Sequence, residues 1–146
     1  MSYKGKYTLK NPEKYIGDRE KVIFRSLWER RCMVYFDTSP RVRKWASEEV
    51  VLKYISPIDG NWHRYFVDFW IEIVSKDGKT VNRYLIEVKP HKYSVPPKEP
   101  KRRTKKYYTE CRNFLVNQAK WEVAKKVCEE KDWEFQVWTE KNVKFT

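Results

Sequence analysis

His63-Arg-Tyr-Phe-Val-Asp68-Phe-Trp-Ile-Glu-Ile-Val74, the turn Lys76-Asp-Gly-Lys79, and Asn82-Arg-Tyr-Leu-Ile-Glu87-Val-Lys89 together decide the fold. The two outer segments are rich in β-branched and aromatic residues and read as strands. Asp77-Gly78 between them carries a tight-hairpin signal. A two-residue loop there, or a four-residue loop from Lys76 to Lys79, sets Asp68 opposite Glu87. Side chains alternate along a strand, so Lys89 shares the face of Glu87. The other face carries Val67, Phe69, Ile71 and Ile73 with Tyr84, Ile86 and Val88. It is wholly apolar and has to be buried.

Like charges directly opposed on a sheet destabilise it, which argues for a cation between Asp68 and Glu87. Phe66, Trp70 and Leu85 lie on their face, so it is not a simple solvated surface. Two carboxylates beside a strand carbonyl, that of Val88, suit a hard divalent ion such as Mg²⁺. Such an ion polarises a phosphodiester and acidifies bound water. Lys89 is placed to hold a phosphate or the attacking water. Two plainer outcomes stay open. One is a half-exposed sheet with a Lys–Glu salt bridge. The other is a bulge at the turn, which would send Asp68 and Glu87 to opposite faces.

Outward from this hairpin, Glu49–Ile55 reads as a first strand, joined through Ser56-Pro-Ile-Asp-Gly-Asn61 to the second. The three form a meander. Upstream, Ser26-Leu-Trp-Glu29 has the form of a capping box. The helix behind it should run to about Phe36, with Trp28, Cys32, Tyr35 and Phe36 on one stripe. Downstream, residues 90–106 hold four prolines and read as a loop. A long helix follows from about Glu110 to Glu130, with Val116, Ala119, Val123 and Val127 at helical spacing. Trp133–Trp138 reads as a last strand. The order αβββαβ predicts a single α/β domain over residues 1–146, with helices packed on one mixed sheet. Residues 1 to about 19 read as a basic arm.

The 146 residues suffice for one core and not two. Lys and Arg number 32 against 20 Asp and Glu, a net charge of +12 that points to a polyanionic partner. The excess is clustered. Lys98–Lys106 carries six positive residues and one negative, and residues 1–25 carry seven and three. Aromatic residues make up 16%, too many for a disordered basic chain. Cys32, Cys111 and Cys128 show no metal spacing and read as free thiols in a reducing compartment. No apolar run is long enough for a membrane span, and the polar N-terminus is no signal peptide. Four glycines without a Gly-rich loop argue against a nucleotide cradle.

Asp68, followed after 18 residues by Glu87-Val-Lys89, resembles the PD-(D/E)XK nuclease motif. Ser26-x-x-Glu29 on the preceding helix is similar to the TnsA-type endonuclease branch. Phe24-Arg-Ser-Leu-Trp-Glu-Arg30, Ser47-Glu-Glu49, Ser56-Pro-Ile-Asp-Gly60, His63–Trp70 and the opening Met1-Ser-Tyr-Lys-Gly-Lys-Tyr7 resemble the family of head completion nucleases of T-even-like phages. The resemblance covers nearly the whole chain. It implies a restriction-endonuclease-like fold and metal-dependent cleavage of double-stranded DNA, endonucleolytic or from ends. It also implies action with phage head and neck proteins in the host cytoplasm during assembly. Mg²⁺ is the expected cofactor, with Mn²⁺ substituting. Asp68 and Glu87 match the metal carboxylates, Lys89 the catalytic lysine and Glu29 the helix acid. Val67 departs from the usual Pro of the motif, which is not a ligand.

Other residues carry two readings. Glu29 can instead complete the cap of its own helix. Glu49 falls opposite Trp70, diagonal to Asp68, if the loop at Asp59-Gly60 has two residues; one of three residues puts Glu48 there. Gln118 lies on the long helix, where related nucleases often place a Gln near phosphate; an exposed helix Gln is the commoner case. Lys101, Arg102, Arg103, Lys105 and Lys106 form the best DNA-tracking segment, beginning twelve residues after Lys89. His63 and His91 read as non-ligands. Tyr107 and Tyr108 can stack on bases but are expected under the long helix. A non-catalytic neck or connector protein on a nuclease fold would share this composition. An RNA-binding module would too, although no RNA-binding signature is present.

Overall fold

The computed structural model describes residues 4–143; Met1-Ser-Tyr3 of the opening motif lies outside the described residues. In chain order the elements are β1 (Gly5–Lys6), a 3-10 turn (Pro12–Lys14), β2 (Ile23–Phe24), α1 (Leu27–Thr38), β3 (Val42–Ser47), β4 (Val51–Ile55), β5 (Trp62–Phe66), β6 (Phe69–Val74), β7 (Val81–Val88), α2 (His91–Ser94), α3 (Lys105–Lys131) and β8 (Glu134–Trp138). The main sheet has the order β3-β6-β7-β8. Its first two pairings are antiparallel and β7 with β8 is parallel, so the sheet is mixed as expected.

The deciding hairpin has the expected register. Trp70 pairs with Leu85 and Ile71 with Tyr84, across a turn in which Gly78 takes φ +73°. That positive φ suits glycine, and no bulge intervenes at the turn.

Upstream, two expectations are corrected. The first strand of the sheet is Val42–Ser47 and not Glu49–Ile55. A bulge at Arg43 breaks its alternation, which hid it from a period-two reading. The stretch His63–Val74 is not one strand. It breaks at Val67-Asp68, where the Val67 amide donates to Val50 O and Asp68 O accepts from the Glu48 amide. β4 and β5 therefore form a separate hairpin, inserted between β3 and β6. The order αβββαβ survives with β3, β6 and β7 as its three central strands.

Both faces of the sheet are covered. On one, Cys32, Met33 and Phe36 of α1 pack with Trp45, Phe69, Ile71 and Ile86. On the other, Trp121, Ala124 and Cys128 of α3 pack with Leu85, Tyr54, Tyr65 and Val67. The stripe of α1 is thus Cys32, Met33 and Phe36, whereas Tyr35 is exposed. Helix α3 starts five residues earlier than expected because Thr104 caps it, its side chain accepting from the Tyr107 amide. Lys105 and Lys106 consequently stand in its first turn and not in a loop. The three cysteines are free thiols.

The segment read as an arm is folded onto the core. Tyr7 and Tyr15 are buried, and the Tyr7 hydroxyl donates to Asp37 Oδ2 at 2.8 Å. The same fully buried carboxylate accepts the Lys10 and Asn11 amides. Lys14 Nζ donates to the carbonyls of Asp37 and Ser39, satisfying the end of α1. Asp37 is the anchor that a reading of charge alone could not foresee. Among the described residues no helix is long and apolar enough to cross a membrane.

Candidate active site

The break at Val67-Asp68 leaves Asp68 just before β6, still level with the end of β7. Its Oδ2 accepts the Val88 amide at 2.8 Å. Glu87, on β7, is buried, and its Oε2 accepts from the Tyr65 hydroxyl at 2.7 Å. Lys89 Nζ lies 3.5 Å from Glu87 Oε1, and the Lys89 amide is fixed by the Trp138 carbonyl of β8. Asp68, Glu87, Val88 and Lys89 are thereby brought together where β6, β7 and β8 meet.

The electrostatics follow from this crowding. Burial, and next the charge of Glu87, hold Asp68 well above the ordinary carboxylate range; the Val88 amide and Lys89 oppose them. Burial, then Glu87, pushes the Tyr65 hydroxyl far up, so it stays a donor. Glu29 is also raised, chiefly by burial, with contributions from Glu48 and Glu87.

Glu29 performs the capping role in part. Its amide donates to Ser26 Oγ at 3.1 Å, and its Oε2 accepts the Arg25 amide at 2.9 Å. The carboxylate reaches one residue further back than a capping box does. Glu49 lies elsewhere: its Oε1 accepts the Asp18 amide. Ala46 of β3 takes the place opposite Trp70, and the β4–β5 ladder ends at Val51, so Glu49 stands outside both pairings. Glu48, with φ 54°, is the neighbour that turns toward Glu29 and holds Arg25 at 2.8 Å.

Two further residues join the site that sequence reasoning missed. Tyr65 was hidden because an unbroken strand would point it away from Asp68. Lys120 comes from α3, with Nζ 5.5 Å from the Tyr65 ring centroid and 5.7 Å from that of Tyr54. Burial lowers its pKa, while Glu87 and Asp68 oppose that shift. A signal existed: Lys120 sits four residues from both Val116 and Ala124, a lone cation on an apolar stripe. Gln118 is half-buried on the same helix, two residues away.

A groove of about 730 Å³ opens from Lys89 and Lys120 between α3 and the segment after β7, with Lys92, Lys98, Tyr93 and Phe114 on its walls. Lys101, Arg102, Arg103, Lys105 and Lys106 are all exposed just beyond it. Arg103 is paired with Glu99 at 2.8 Å. Tyr108 is exposed beside them and Tyr107 half-buried, not packed under the helix as expected. His63 is paired with Asp59, and the His91 amide donates to the Glu140 carboxylate.

Among the described residues no three His, Cys, Asp or Glu side chains gather into a metal-holding group. The donor set at the ends of the two inner strands is two carboxylates and a strand backbone. That set suits Mg²⁺, which keeps several waters and commonly takes only one or two carboxylates. It does not suit a softer metal, because no thiolate or imidazole belongs to it.

A model of the TnsA-like endonuclease N-terminal domain matches residues 39–140, a range that includes Asp68, Glu87 and Lys89 but not Glu29. Over 144 residues, 96% of this chain and 93% of the other, the sequence is 34% identical to the head completion nuclease of Enterobacteria phage T4. No solved structure matches the chain.

Proposed function

The chain belongs to the TnsA-like endonuclease family, and on that premise we propose that it is a metal-dependent nuclease that hydrolyses double-stranded DNA during phage head completion, before head–tail joining. The observation that carries this reading is the pairing of half-buried Asp68 with buried Glu87, with Lys89 3.5 Å from the second carboxylate. A pair so arranged is costly to the bare fold and has a use only where a cation is held.

Asp68, Glu87 and the Val88 carbonyl would hold Mg²⁺, or Mn²⁺ in its place, with Glu29 beside them. When bound, the ion supplies Lewis-acid polarisation of the phosphodiester and a more acidic water. The protein's own groups do the positioning. The Val88 amide and the Tyr65 hydroxyl each occupy one carboxylate oxygen, which fixes the orientation of Asp68 and Glu87. Lys89 orients the attacking water or neutralises the charge growing on the phosphate. Lys120, at the mouth of the groove, holds the neighbouring phosphate. Lys101, Arg102, Arg103, Lys105 and Lys106 follow the backbone beyond it and confer affinity without sequence choice. Neither Gln118 nor Glu49 has a part in this scheme. Work on packaged DNA would place the protein with phage head and neck proteins in the host cytoplasm.

The test is incubation of purified protein with duplex DNA, single-stranded DNA and RNA, with Mg²⁺ and with EDTA. Cleavage of duplex DNA with Mg²⁺ alone supports the reading. Tight binding of duplex without cleavage in any metal would replace it by a docking protein on a nuclease fold.

A further inference from the structure

The β4–β5 hairpin presents one face to α3 and leaves the other to solvent. Tyr54 and Tyr65 belong to the inner face and are buried against the helix. The outer face is set by the register: Val51 opposite Phe66, Lys53 opposite Arg64 and Ile55 opposite Trp62. All six are exposed, Trp62 at 67%, and Ile58 in the turn adds to them. No acidic side chain lies among these three pairs.

Two features of this face call for an occupant. An exposed contiguous apolar surface of this kind marks a contact site. Within it, two cations stand directly across from each other, which destabilises a two-stranded sheet already marginal on its own. Lys53 and Arg64 have no carboxylate between them; the acid at the hairpin tip, Asp59, is engaged with His63 and the Asn61 amide. Arg64 instead lies over the Phe66 ring, 5.5 Å from its centroid. A purely apolar face would suit a protein partner. A cation pair set between an exposed indole and a phenyl ring suits an anionic chain that also carries flat rings.

We infer that the outer face of the β4–β5 hairpin is a binding site for single-stranded nucleic acid, in which an unpaired base stacks on Trp62 and a backbone phosphate sits between Lys53 and Arg64. Base–aromatic stacking with a cationic track is how strands are held without sequence choice. The hairpin is rooted at the candidate active site, because Phe66 stands two residues before Asp68 and Tyr65 bonds Glu87. A strand frayed from the duplex at that site would meet this platform. The inference rests on the DNA-cleaving reading for the identity of the strand, but binding does not require cleavage.

The experiment is fluorescence anisotropy in EDTA, which prevents hydrolysis, with labelled blunt duplex and the same duplex bearing a six-nucleotide single-stranded tail. The wild type should bind the tailed duplex more tightly, and Trp62→Ala should lose about tenfold on it, the size of one stack. The blunt duplex should bind equally to both. Lys53→Gln combined with Arg64→Gln should weaken tailed binding and flatten its salt dependence. Far-UV circular dichroism and melting confirm that the variants fold. Equal affinity of the wild type for both duplexes overturns the inference. So does a wild-type dimer that Trp62→Ala dissociates, which would make the face a self-association surface. Loss of cleavage in Mg²⁺ with the tail preference intact would overturn the nuclease reading and leave this one standing.

Discussion

The Tyr65 hydroxyl donates a 2.7 Å hydrogen bond to Glu87 Oε2, joining the inserted β4–β5 hairpin to the central strand of the candidate site. The hairpin therefore holds Glu87 in place while presenting its other face to solvent. Tyr65→Phe removes that donor and little volume. Stability should fall by about 1.5–3 kcal/mol, as for one hydrogen bond to a charged acceptor. Cleavage should fall roughly tenfold through kcat, with DNA affinity unchanged, because a mispositioned carboxylate affects the reacting geometry and not the distant phosphate contacts. Steady-state kinetics and urea unfolding check both.

Asp68 is held well above the ordinary carboxylate range by burial and by Glu87. Above the unfolded value of about 3.9 and below the raised folded value, the native state binds more protons than the unfolded one. Stability conferred by the protonated carboxyl is complete below that window and is lost as pH rises through it. At neutral pH the raised Asp68 carboxyl is therefore a cost to the fold relative to pH below that window. Asp68→Asn keeps an acceptor for the Val88 amide and removes the charge. In EDTA its Tm should exceed that of the wild type at neutral pH, by roughly 2–4 °C per kcal/mol relieved. The difference should vanish near pH ~4. Mg²⁺ should stabilise the wild type and not the variant. Calorimetric melting across pH reads all three.

Asp37 should prove the most sensitive structural position outside the site. Its carboxylate is fully buried and accepts from Tyr7, Lys10 and Asn11. Asp37→Ala would strand those donors, at about 1–3 kcal/mol for each that water does not reach. Urea unfolding should show a midpoint lowered by a third or more, or no folded protein at all. Removal of residues 1–14 should do the same.

Binding of DNA through exposed Lys and Arg should be strongly salt-dependent. Every phosphate deprived of its cation should reduce the slope of log affinity against log salt by about 0.9. Replacing Lys101, Arg102, Lys105 and Lys106 by Ala should therefore flatten the slope and weaken all sequences equally. Arg103 should contribute less, since Glu99 already holds it. Filter binding over a salt series measures this.

How much of this was legible in the sequence depended on periodicity. The Asp77-Gly78 turn and the alternation around it predicted the β6–β7 register, and the apolar face of that pair packs with α1, except Val67, which the break before β6 sends to the α3 side. Strand β3 was lost because its bulge at Arg43 broke the alternation, and the residues that read as a first strand belong to the inserted hairpin. That one displacement moved several side chains. It sent Glu49 to the N-terminal segment, left Glu48 beside Glu29, and brought Tyr65 to Glu87. The burial of Tyr7 and Tyr15 was invisible because it depends on partners far away in sequence, Asp37 for the Tyr7 hydroxyl and the Ser47 carbonyl for that of Tyr15. Helix α3 was underestimated at its N-terminus because Lys105 and Lys106 oppose the helix dipole, and only the Thr104 cap reveals the start.

Asp68 and Glu87 are proposed to form the hydrolytic centre together, and nicking of supercoiled plasmid with Mg²⁺ tests this without intermediaries. The wild type, Asp68→Asn and Glu87→Gln would be prepared identically and shown to be folded. The wild type should cleave, EDTA should abolish the cleavage, and each variant should lose about 10²–10³-fold, the scale on which charge-stabilising groups act in catalysis. Cleavage by either variant at the wild-type rate would contradict the assignment and place the chemistry elsewhere.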